Sequence, residues 1–481
     1  MLLFAIVGTW ACSNVDELDD RADSGAGTDA DSDSDTDTDS DAVVTCDGAL
    51  WFADPNLEEA VRMAANVGEG EEITAEDVEE ITELYASSLG ITDLNGIQCL
   101  SSLQRLDIST NEWITDLEPL RGLTGLEILD FSYNQVSDLA PLAGLTSLTY
   151  LDASGYPDYA VSMTDLSPLS DLVSLTTLYL ESDGITDIGP LSALTSLTTL
   201  SLYENQVEDI SALAELTSLT VLNLRINMVT DLSPLAGLTV LASLDLASNH
   251  DISDISPLAG LTELTELSLY AGDVSDIGAL AGMTKLTALD LAACQVSDIA
   301  PLAGLTALTT LSLHFNNVAD ITPLAELSSL TVLALGDNNV SDSSPLAGLT
   351  SLTFLDLFRN NINEVDALFT LTALSNLDLS QNSINDITAL SGMVSLTDLS
   401  LSLNQVSDLG PLSGLTSLQQ LELDGNQASE LAPLVANTGL GEGDYVALFE
   451  NPIDLVAQAD NIQALIDRGV VLDLEGPSGE D

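Results

Sequence analysis

One unit of sequence recurs along most of this chain and limits its possible folds more than any other feature. Between residues 308 and 330 the unit reads LTTLSLHFNNVADITPLAELSSL, and its leucines keep the same offsets in the following copies. A unit this short cannot bury its own leucines, so neighbouring copies must stack on one another. The asparagine at its centre recurs every 22 residues, at Asn316, Asn338, Asn360, Asn382, Asn404 and Asn426.

Each unit predicts a short strand followed by two turns. The alternation in Leu311-Ser312-Leu313 is that of a strand with one buried face. It leaves Ser312 facing outward, where we expect substitutions to cost little. The amide of Asn316 can satisfy backbone groups in the next turn, and Asp320 suits the start of a short helical or 3-10 turn. The pattern L-x-x-L-x-L-x-x-N with this period is the leucine-rich repeat signature.

We therefore predict an α/β solenoid, a leucine-rich repeat horseshoe with a concave parallel β-sheet and convex 3-10 or short helical turns. About fifteen repeats are expected over residues 96–437. Buried side chains at the inner turn should form a structural ladder from repeat to repeat, with Cys294 as an accepted substitute for asparagine. The ladder positions are Asn111, Asn134, Asn205, Asn227, Asn249, Cys294, Asn316, Asn338, Asn360, Asn382, Asn404 and Asn426.

Three further ladder positions carry neither Asn nor Cys. They are Tyr156, Asp183 and Gly272, and the repeat that begins at Tyr156 is five residues longer than its neighbours. Its extra residues form the Tyr156–Met163 insertion. Insertions in solenoids map to loops on one face, often the binding face, and simple drift of the sequence is the alternative.

The two ends of the array do not follow the repeat and are predicted to be caps, which a solenoid needs to cover its open core. Residues 46–95 form the N-terminal cap, in which Asp54 and Pro55 begin one helix and Thr74–Asp77 begins another. Residues 438–475 form the C-terminal cap, and residues 476–481 are a tail. The C-terminal cap should hold a strand at Tyr445–Phe449 and a helix whose apolar residues are Ile462, Leu465 and Ile466.

The N-terminal segment 1–12, MLLFAIVGTWAC, is predicted to be a lipoprotein-type signal peptide that ends at a lipidated Cys12. An ordinary secretory signal and a structural segment are the alternatives. Residues 13–45 form a disordered linker rich in Asp, Ser and Thr. Its alternating aspartates could bind calcium, but they lack the Gly and closing Glu of an EF-hand loop.

The charge of the chain excludes one class of partner. It carries 77 acidic against 8 basic residues, for a formal net charge of -69. Nucleic acid is therefore excluded, because phosphate binding requires clustered Lys and Arg. No apolar run reaches the ~18 residues of a membrane span, so we expect membrane contact only through a lipid anchor.

Residue patterns that carry catalysis are missing. The only histidines are His250 and His314, which should lie far apart. Cys294 near His314 could form a thiol nucleophile, but Cys294 should point into the coil and His314 out of it. No phosphate loop or close-spaced Cys/His set is present. We expect no enzyme activity, no cofactor and no metal site.

The order of the segments resembles that of bacterial internalin-like leucine-rich repeat surface proteins. The similarity lies in FADPNLEEAV, a short helical stretch, ITDLNGIQCLSSLQRLDIS and repeats ending in D-I/L-x-P-L, over roughly residues 50–437. This resemblance implies a capped, curved domain at the cell surface that binds other proteins on its concave face. It does not identify a partner. The chain shows no C-terminal sorting motif, so attachment would depend on Cys12.

The outward strand positions supply candidate partner-binding residues. Most are Ser, Thr, Asp or Ala, so an aromatic or Arg stands out in a chain with 4% aromatic residues. Five of the exceptions fall in one strand column, and scattered surface aromatics are the alternative interpretation. The candidates are Tyr133, Tyr179, Tyr203, Arg225, Tyr270, His314, Phe315, Phe358 and Arg359.

Cysteine usage predicts one disulfide. Export implies an oxidising compartment. Lipidation would consume Cys12, and Cys294 should be buried, which leaves Cys46 and Cys99. They lie before and after the N-terminal cap, so the bond would join the cap to the first repeat.

We expect a secreted or surface-tethered, monomeric protein-binding module that uses its concave face for recognition or adhesion. The alternative is a structural or adhesive surface component that binds glycan or calcium through its acidic exterior.

Overall fold

The computed structural model describes residues 46–156 and 163–476. The predicted signal peptide and linker, the tail and most of the Tyr156–Met163 insertion lie outside these ranges. The described residues form a solenoid built on one sheet of 18 parallel strands, in which each strand pairs with the next along the chain. The leucine-rich repeat horseshoe predicted from the sequence is thereby confirmed.

Each strand is three residues long, and all but the last carry a buried residue, most often leucine, at the centre. Neighbouring strands keep equivalent residues side by side, so that Leu311 pairs with Leu333. The strands are β1 Glu83–Tyr85, β2 Arg105–Asp107, β3 Ile128–Asp130, β4 Tyr150–Asp152, β5 Thr177–Tyr179, β6 Thr199–Ser201, β7 Val221–Asn223, β8 Ser243–Asp245, β9 Glu266–Ser268, β10 Ala288–Asp290, β11 Thr310–Ser312, β12 Val332–Ala334, β13 Phe354–Asp356, β14 Asn376–Asp378, β15 Asp398–Ser400, β16 Gln420–Glu422, β17 Tyr445–Ala447 and β18 Val471–Asp473.

Single 3-10 turns return the chain along the opposite, convex side. An aspartate two residues upstream begins most of them: Asp320 Oδ1 accepts a hydrogen bond from the Thr322 backbone N at 2.9 Å. This is the turn-starting role that the sequence predicts for Asp320. The 3-10 helices are Ile97–Cys99, Glu118–Leu120, Ala140–Gly144, Ser167–Leu169, Gly189–Ala193, Ser211–Glu215, Ser233–Gly237, Ser256–Gly260, Gly278–Gly282, Ala300–Gly304, Thr322–Leu324, Ser344–Gly348, Asp366–Thr370, Thr388–Gly392 and Gly410–Gly414.

The leucines of all repeats merge into one continuous core between sheet and turns. In the repeat at residue 308, Leu308, Leu311, Leu313, Leu324 and Leu327 have no exposed surface. Each buried leucine contributes about 1.5–3 kcal/mol to stability relative to an exposed one. The core extends from the N-terminal to the C-terminal cap.

Asparagines at the inner turn connect successive repeats by hydrogen bonds. Asn338 Oδ1 accepts a hydrogen bond from the Val318 backbone N of the preceding repeat at 2.9 Å. Its Nδ2 donates to the Leu313 carbonyl of the preceding repeat at 2.8 Å and to the Leu335 carbonyl of its own repeat at 3.1 Å. The side chain thus satisfies the Val318 N–H, and it shares the two carbonyls with Asn316 and Asn360 of the neighbouring repeats.

The ladder is irregular around the repeat that begins at Tyr156. Asn134 still donates to the carbonyls of Ile108 and Phe131, but its Oδ1 finds no donor among the described residues. Asp183 is only 3% exposed, and its Oδ2 likewise finds no partner in the described part of the chain. Burial raises the pKa of Asp183 to about 8, with smaller contributions from other carboxylates nearby. At neutral pH this carboxyl is therefore mainly protonated.

Helical segments cover the two ends. Asp54 caps the first helix by accepting hydrogen bonds from the backbone N of Asn56 and Leu57, and Pro55 occupies its first position. The Asp77 carboxylate accepts from the Thr74 backbone N, as the capping-box pattern predicts. The helices are α1 Pro55–Ala65, α2 Ala75–Val78, α3 Ala432–Ala436 and α4 Ala459–Ile466.

A disulfide bond lies in the N-terminal cap, and helix α4 lies in the C-terminal cap. A disulfide bond joins Cys46 to Cys99, and so links the N-terminal cap to the first 3-10 turn. In α4, Leu465 is buried, whereas Ile466 is 48% exposed. The helix that the sequence predicts around Ile462, Leu465 and Ile466 is present as α4.

The outward position Ser312 also differs from expectation. It faces the concave side, yet it is only 4% exposed. Residues at the same position of β10 and β12 stand beside it at the strand spacing of about 4.8 Å, and side chains converge on the inner side of a curved sheet. The expectation that substitutions at Ser312 cost little was therefore wrong.

Candidate functional site

Three side chains per repeat face the concave side of the sheet. In β11 these are Thr310 before the central leucine, Ser312 after it and His314 two residues further. Equivalent residues of successive repeats line up, and we name the resulting rows the first, second and third columns. Backbone hydrogen bonds extend to the third column, as in the 2.8 Å bond from the Ala293 backbone N to the His314 carbonyl.

The third column contains five of the predicted partner-binding residues, but it is not continuous. Only Tyr203 and Arg225 lie on neighbouring repeats. Ala247, Ala292 and Gly336 occupy the column between the other members. The structure therefore separates this group into isolated contact points instead of one strip. Its members are Tyr203, Arg225, Tyr270, His314 and Phe358.

The other four predicted residues lie beside this column. Tyr179 is in the second column. Tyr133, Phe315 and Arg359 occupy the next turn position, where the backbone has a positive φ of 57°, 52° and 48°. Phe315 is 56% exposed. The Arg359 guanidinium already binds Asp337 of its own chain, with 2.8 Å between Nη1 and Oδ2, which makes it less available to a partner.

His314 is paired across two repeats. Its Nε2 lies 3.3 Å from Oδ2 of Asp356. The ring passes over Gly336, where a Cβ would come within 2.6 Å of His314 Nδ1. Burial lowers the pKa of His314 and raises the pKa of Asp356, while burial and the charge of Asp356 raise that of Asp378. The lowered pKa of His314 favours the neutral imidazole, so we interpret the contact between His314 and Asp356 as a hydrogen bond from an uncharged ring and not as an ion pair.

Four tyrosines collect on the concave side between β3 and β5. The rings of Tyr133 and Tyr156 have centroids 5.1 Å apart, and those of Tyr150 and Tyr179 are 5.9 Å apart. Both pairs are tilted by 56°, within the range of favourable aromatic contacts. We name Tyr133, Tyr150, Tyr156 and Tyr179 the tyrosine cluster.

Carboxylates lie within the tyrosine cluster. Asp130 and Asp152 are register partners in the second column, and Glu181 follows in the third. Burial, with smaller contributions from the charges of Asp130 and Glu181, raises the pKa of Asp152 to about 6 despite the opposing hydrogen bonds from Ser154. Burial is also the largest cause of the raised pKa of Tyr150, followed by the charges of Asp152 and Asp130. The rings and the carboxylates therefore share one partly desolvated surface.

Sequence reasoning missed two members of this cluster. Tyr150 precedes the L-x-L motif and was not counted, although period-2 alternation also places that residue on the concave side. Tyr156 was assigned to the inward ladder, whereas its ring contacts the concave Tyr133. The alternation signal could have identified Tyr150, but no local pattern identifies Tyr156.

The geometry offers no thiol nucleophile at Cys294. The residue is buried, and its Sγ donates to the Leu269 carbonyl at 3.3 Å. Burial raises the pKa of the thiol to about 11, so the thiolate is scarce at neutral pH. His250 is elsewhere, with Nδ1 2.9 Å from the Ala271 carbonyl. Within residues 46–156 and 163–476, no three His, Cys, Asp or Glu side chains are arranged to hold a metal ion.

Every helix in the described ranges is too short or too polar to span a lipid bilayer.

Comparison with known families identifies the repeat. The model described as "Leucine Rich repeats (2 copies)" matches residues 174–215, 195–237, 217–260, 284–326, 306–348 and 394–435. A search of curated proteins found no match.

Solved structures similar to this chain include two internalins. An internalin (InlF) of Listeria monocytogenes is 31% identical, with a TM-score of 0.56 over 76% of this chain and 94% of the other. A leucine-rich repeat protein of Leptospira interrogans is 24% identical, with a TM-score of 0.63 over 83% and 97% of the two chains. The functional domain of InlJ from Listeria monocytogenes is 22% identical, with a TM-score of 0.51 over 84% and 83%.

Proposed function

Because this chain belongs to the internalin-like leucine-rich repeat proteins, we propose that it is a non-catalytic recognition module that binds another protein on its concave face. The family supports a binding module in general. The choice of face is argued from the distribution of side chains.

The observation that carries this proposal is the concentration of aromatic side chains on one side of the solenoid. Aromatic residues make up 4% of the chain. Large aromatic side chains dominate the energetics of protein interfaces, and they are the expected anchors of a recognition face. The exposed or half-buried aromatics of the concave side among the described residues include Tyr85, Tyr133, Tyr150, Tyr156, Tyr179, Tyr203, Tyr270, Phe315, Phe354, Phe358 and Tyr445.

The domain plan predicted from the sequence is part of the proposal. Residues 46–95 and 438–475 cap a repeat array at 96–437, and residues 13–45 tether it to a lipidated Cys12. In this proposal the repeat domain is displayed on the bacterial cell surface.

Charge adds an expectation about the partner. A protein with a formal net charge of -69 attracts basic partners and repels acidic ones. A basic protein should associate at a rate that falls as the salt concentration rises, because the long-range field is screened.

Site-specific photocrosslinking tests which face binds. A benzophenone amino acid is placed at Phe358 on the concave side or, as a matched control, at Phe369 in the convex 3-10 turn, which is 61% exposed. The full chain with Cys12→Ser, which removes lipid attachment, is applied to intact cells and irradiated, with and without excess unlabelled parent.

We expect a protein adduct at position 358 that excess parent suppresses, and none at position 369. Equal adducts at both positions, or adducts that unlabelled parent does not suppress, would overturn the assignment of the concave face. Absence of any adduct at position 358 would contradict binding there.

A further inference from the structure

The tyrosine cluster has the composition of a site for a positively charged side chain. We propose that it binds a lysine or arginine side chain of the partner protein, held between the tyrosine rings and the carboxylates of Asp130, Asp152 and Glu181. This inference rests on the proposed function and specifies the chemistry of one part of the concave face.

The geometry places carboxylates between aromatic rings. Asp152 in β4 is the register partner of Tyr179 in β5 and lies two residues after Tyr150, whose ring contacts that of Tyr179. On the other side, Tyr156 follows β4 and contacts Tyr133. A cation between two such pairs meets ring faces and carboxylate oxygens together, which is the environment that favours ammonium and guanidinium groups.

No Lys or Arg belongs to the cluster, although Arg105 of β2 is near enough for its charge to lower the pKa of Tyr150. Residues 122–224 contain neither Lys nor Arg. Among the residues that the structure describes, no ion pair involves Asp130, Asp152 or Glu181. Partly desolvated carboxylates without a counter-charge are costly, so a partner that brings the positive charge gains more here than at an exposed carboxylate.

Two buried oxygens near the cluster find no hydrogen-bond partner among the described residues. They are Oδ1 of Asn134 and Oδ2 of Asp183. Both residues line a cavity of about 10 Å³ with Tyr156, Ser154 and Gly155, which is room for about one water molecule. The described part of the chain therefore satisfies the polar groups beside the cluster less completely than those of the regular repeats.

The chain itself uses the same contact one strand away. The Arg105 guanidinium of β2 lies 5.3 Å from the centre of the Tyr85 ring of β1. A second copy of this chain is a poor occupant, since it has 8 basic residues and repels the first through its acidic charge. A basic segment of a different protein fits the charge of the site.

Tyrosine-selective NMR of the full chain with Cys12→Ser tests the site directly. The probe is the blocked tripeptide Gly-Lys-Gly, and its uncharged control has norleucine in place of lysine. Both are titrated in about 0.15 M salt to screen long-range attraction. Tyr270 and Tyr445 lie outside the cluster and serve as internal controls.

We expect saturable shifts of the cluster tyrosines with the lysine peptide alone. Tyr179→Leu should weaken binding about threefold to thirtyfold, because it removes a ring face, and Tyr179→Phe should retain binding within about twofold. The circular-dichroism melt of each variant verifies that it folds. If Tyr179→Leu does not fold, Asp152→Asn replaces it, with a loss of similar size expected.

Equal shifts with the norleucine peptide would show that the cluster binds apolar side chains and does not recognise positive charge. Equal shifts at Tyr270 and Tyr445 would indicate general attraction to an acidic protein, and either result, like the absence of shifts, overturns the inference. The two proposals fail separately. A crosslink at position 358 without lysine binding at the cluster leaves the proposed function intact. Lysine binding without a crosslinked protein leaves the cation site intact and removes only the proposal of a protein partner on the concave face.

Discussion

The repeats at β3–β5 and those at β11–β14 share one fold but differ on both sides of the sheet. At the inner turns of the second region, asparagines such as Asn338 make four hydrogen bonds each. In the first region, Tyr156 and Asp183 stand at the equivalent positions, and Asp183 Oδ2 has no partner among the described residues. The second region therefore uses its inner turns for stability, and the first does so less completely.

The concave sides of the two regions also differ in whether the chain pairs its own carboxyl groups. In the second region, the chain meets the carboxyl group of Asp356 with its own His314. In the first, Asp152 lies among tyrosines and has no cationic partner within the described chain. A carboxyl group that the chain pairs with its own histidine gains little from a partner's cation, whereas one without a cationic partner gains more. The comparison places the site for a positively charged side chain in the irregular repeats, while the aromatic contact points extend along the rest of the concave face.

The largest expected effect on stability concerns a ladder asparagine in the β11–β14 repeats. Asn338→Leu should lower the free energy of unfolding by about 3 kcal/mol, because the buried Val318 backbone N–H loses its acceptor and the Leu313 and Leu335 carbonyls each lose one of two asparagine donors. Asn317→Leu is the matched control at an exposed position and should cost less than about 0.5 kcal/mol. Urea unfolding measures both, and equal losses would contradict the role of the ladder.

Exchanging Asp and Asn between the ladder positions of the two regions tests the role of Asp183. Asp183→Asn should stabilise the fold by about 2 kcal/mol at pH 8, because it replaces a carboxyl whose ionisation burial opposes. The folded-state pKa, about 8, lies above the unfolded value. The parent's contribution from Asp183 is therefore complete below about pH 4 and is lost as the pH rises through 8.

The stabilisation by Asp183→Asn should consequently grow between pH 5 and pH 8 in thermal melts. Asn338→Asp, the opposite exchange in the regular region, should destabilise more at pH 8 than at pH 5. If the stability difference between each variant and the parent does not change with pH, protonation of the ladder carboxyl does not affect stability.

A smaller effect is expected at the histidine pair. Gly336→Ala would place a Cβ 2.6 Å from His314 Nδ1, so the ring should move toward solvent. Because burial is what lowers the pKa of His314, that pKa should rise in the variant, while stability changes by less than about 1 kcal/mol. The chain has two histidines, so one-dimensional NMR can follow His314 with His250 as the second signal. An unchanged His314 titration would mean that Gly336 does not hold the ring in place.

Residues within a single repeat were predictable, and contacts between repeats were not. The role of Asn338 follows from its fixed place beside a strand, and the cap at Asp54 follows from Asp-Pro at a helix start. The burial of Ser312 depends on its neighbours in the adjacent repeats, which no pattern within one repeat contains. The contact of His314 with Asp356 requires a glycine in the intervening repeat, and the ring contact of Tyr156 with Tyr133 spans two turns.

The most direct test of concave-face recognition is the affinity of the protein captured at position 358. Its dissociation constant should be measured for the parent, for the Tyr270→Ala/Phe358→Ala double variant and for Phe369→Ala on the convex side. The account predicts at least a tenfold loss for the concave double variant, as expected for interface anchors of about 2 kcal/mol or more, and less than about a twofold change for the convex variant. Parent-like affinity in the double variant, or an equal loss in Phe369→Ala, would contradict it.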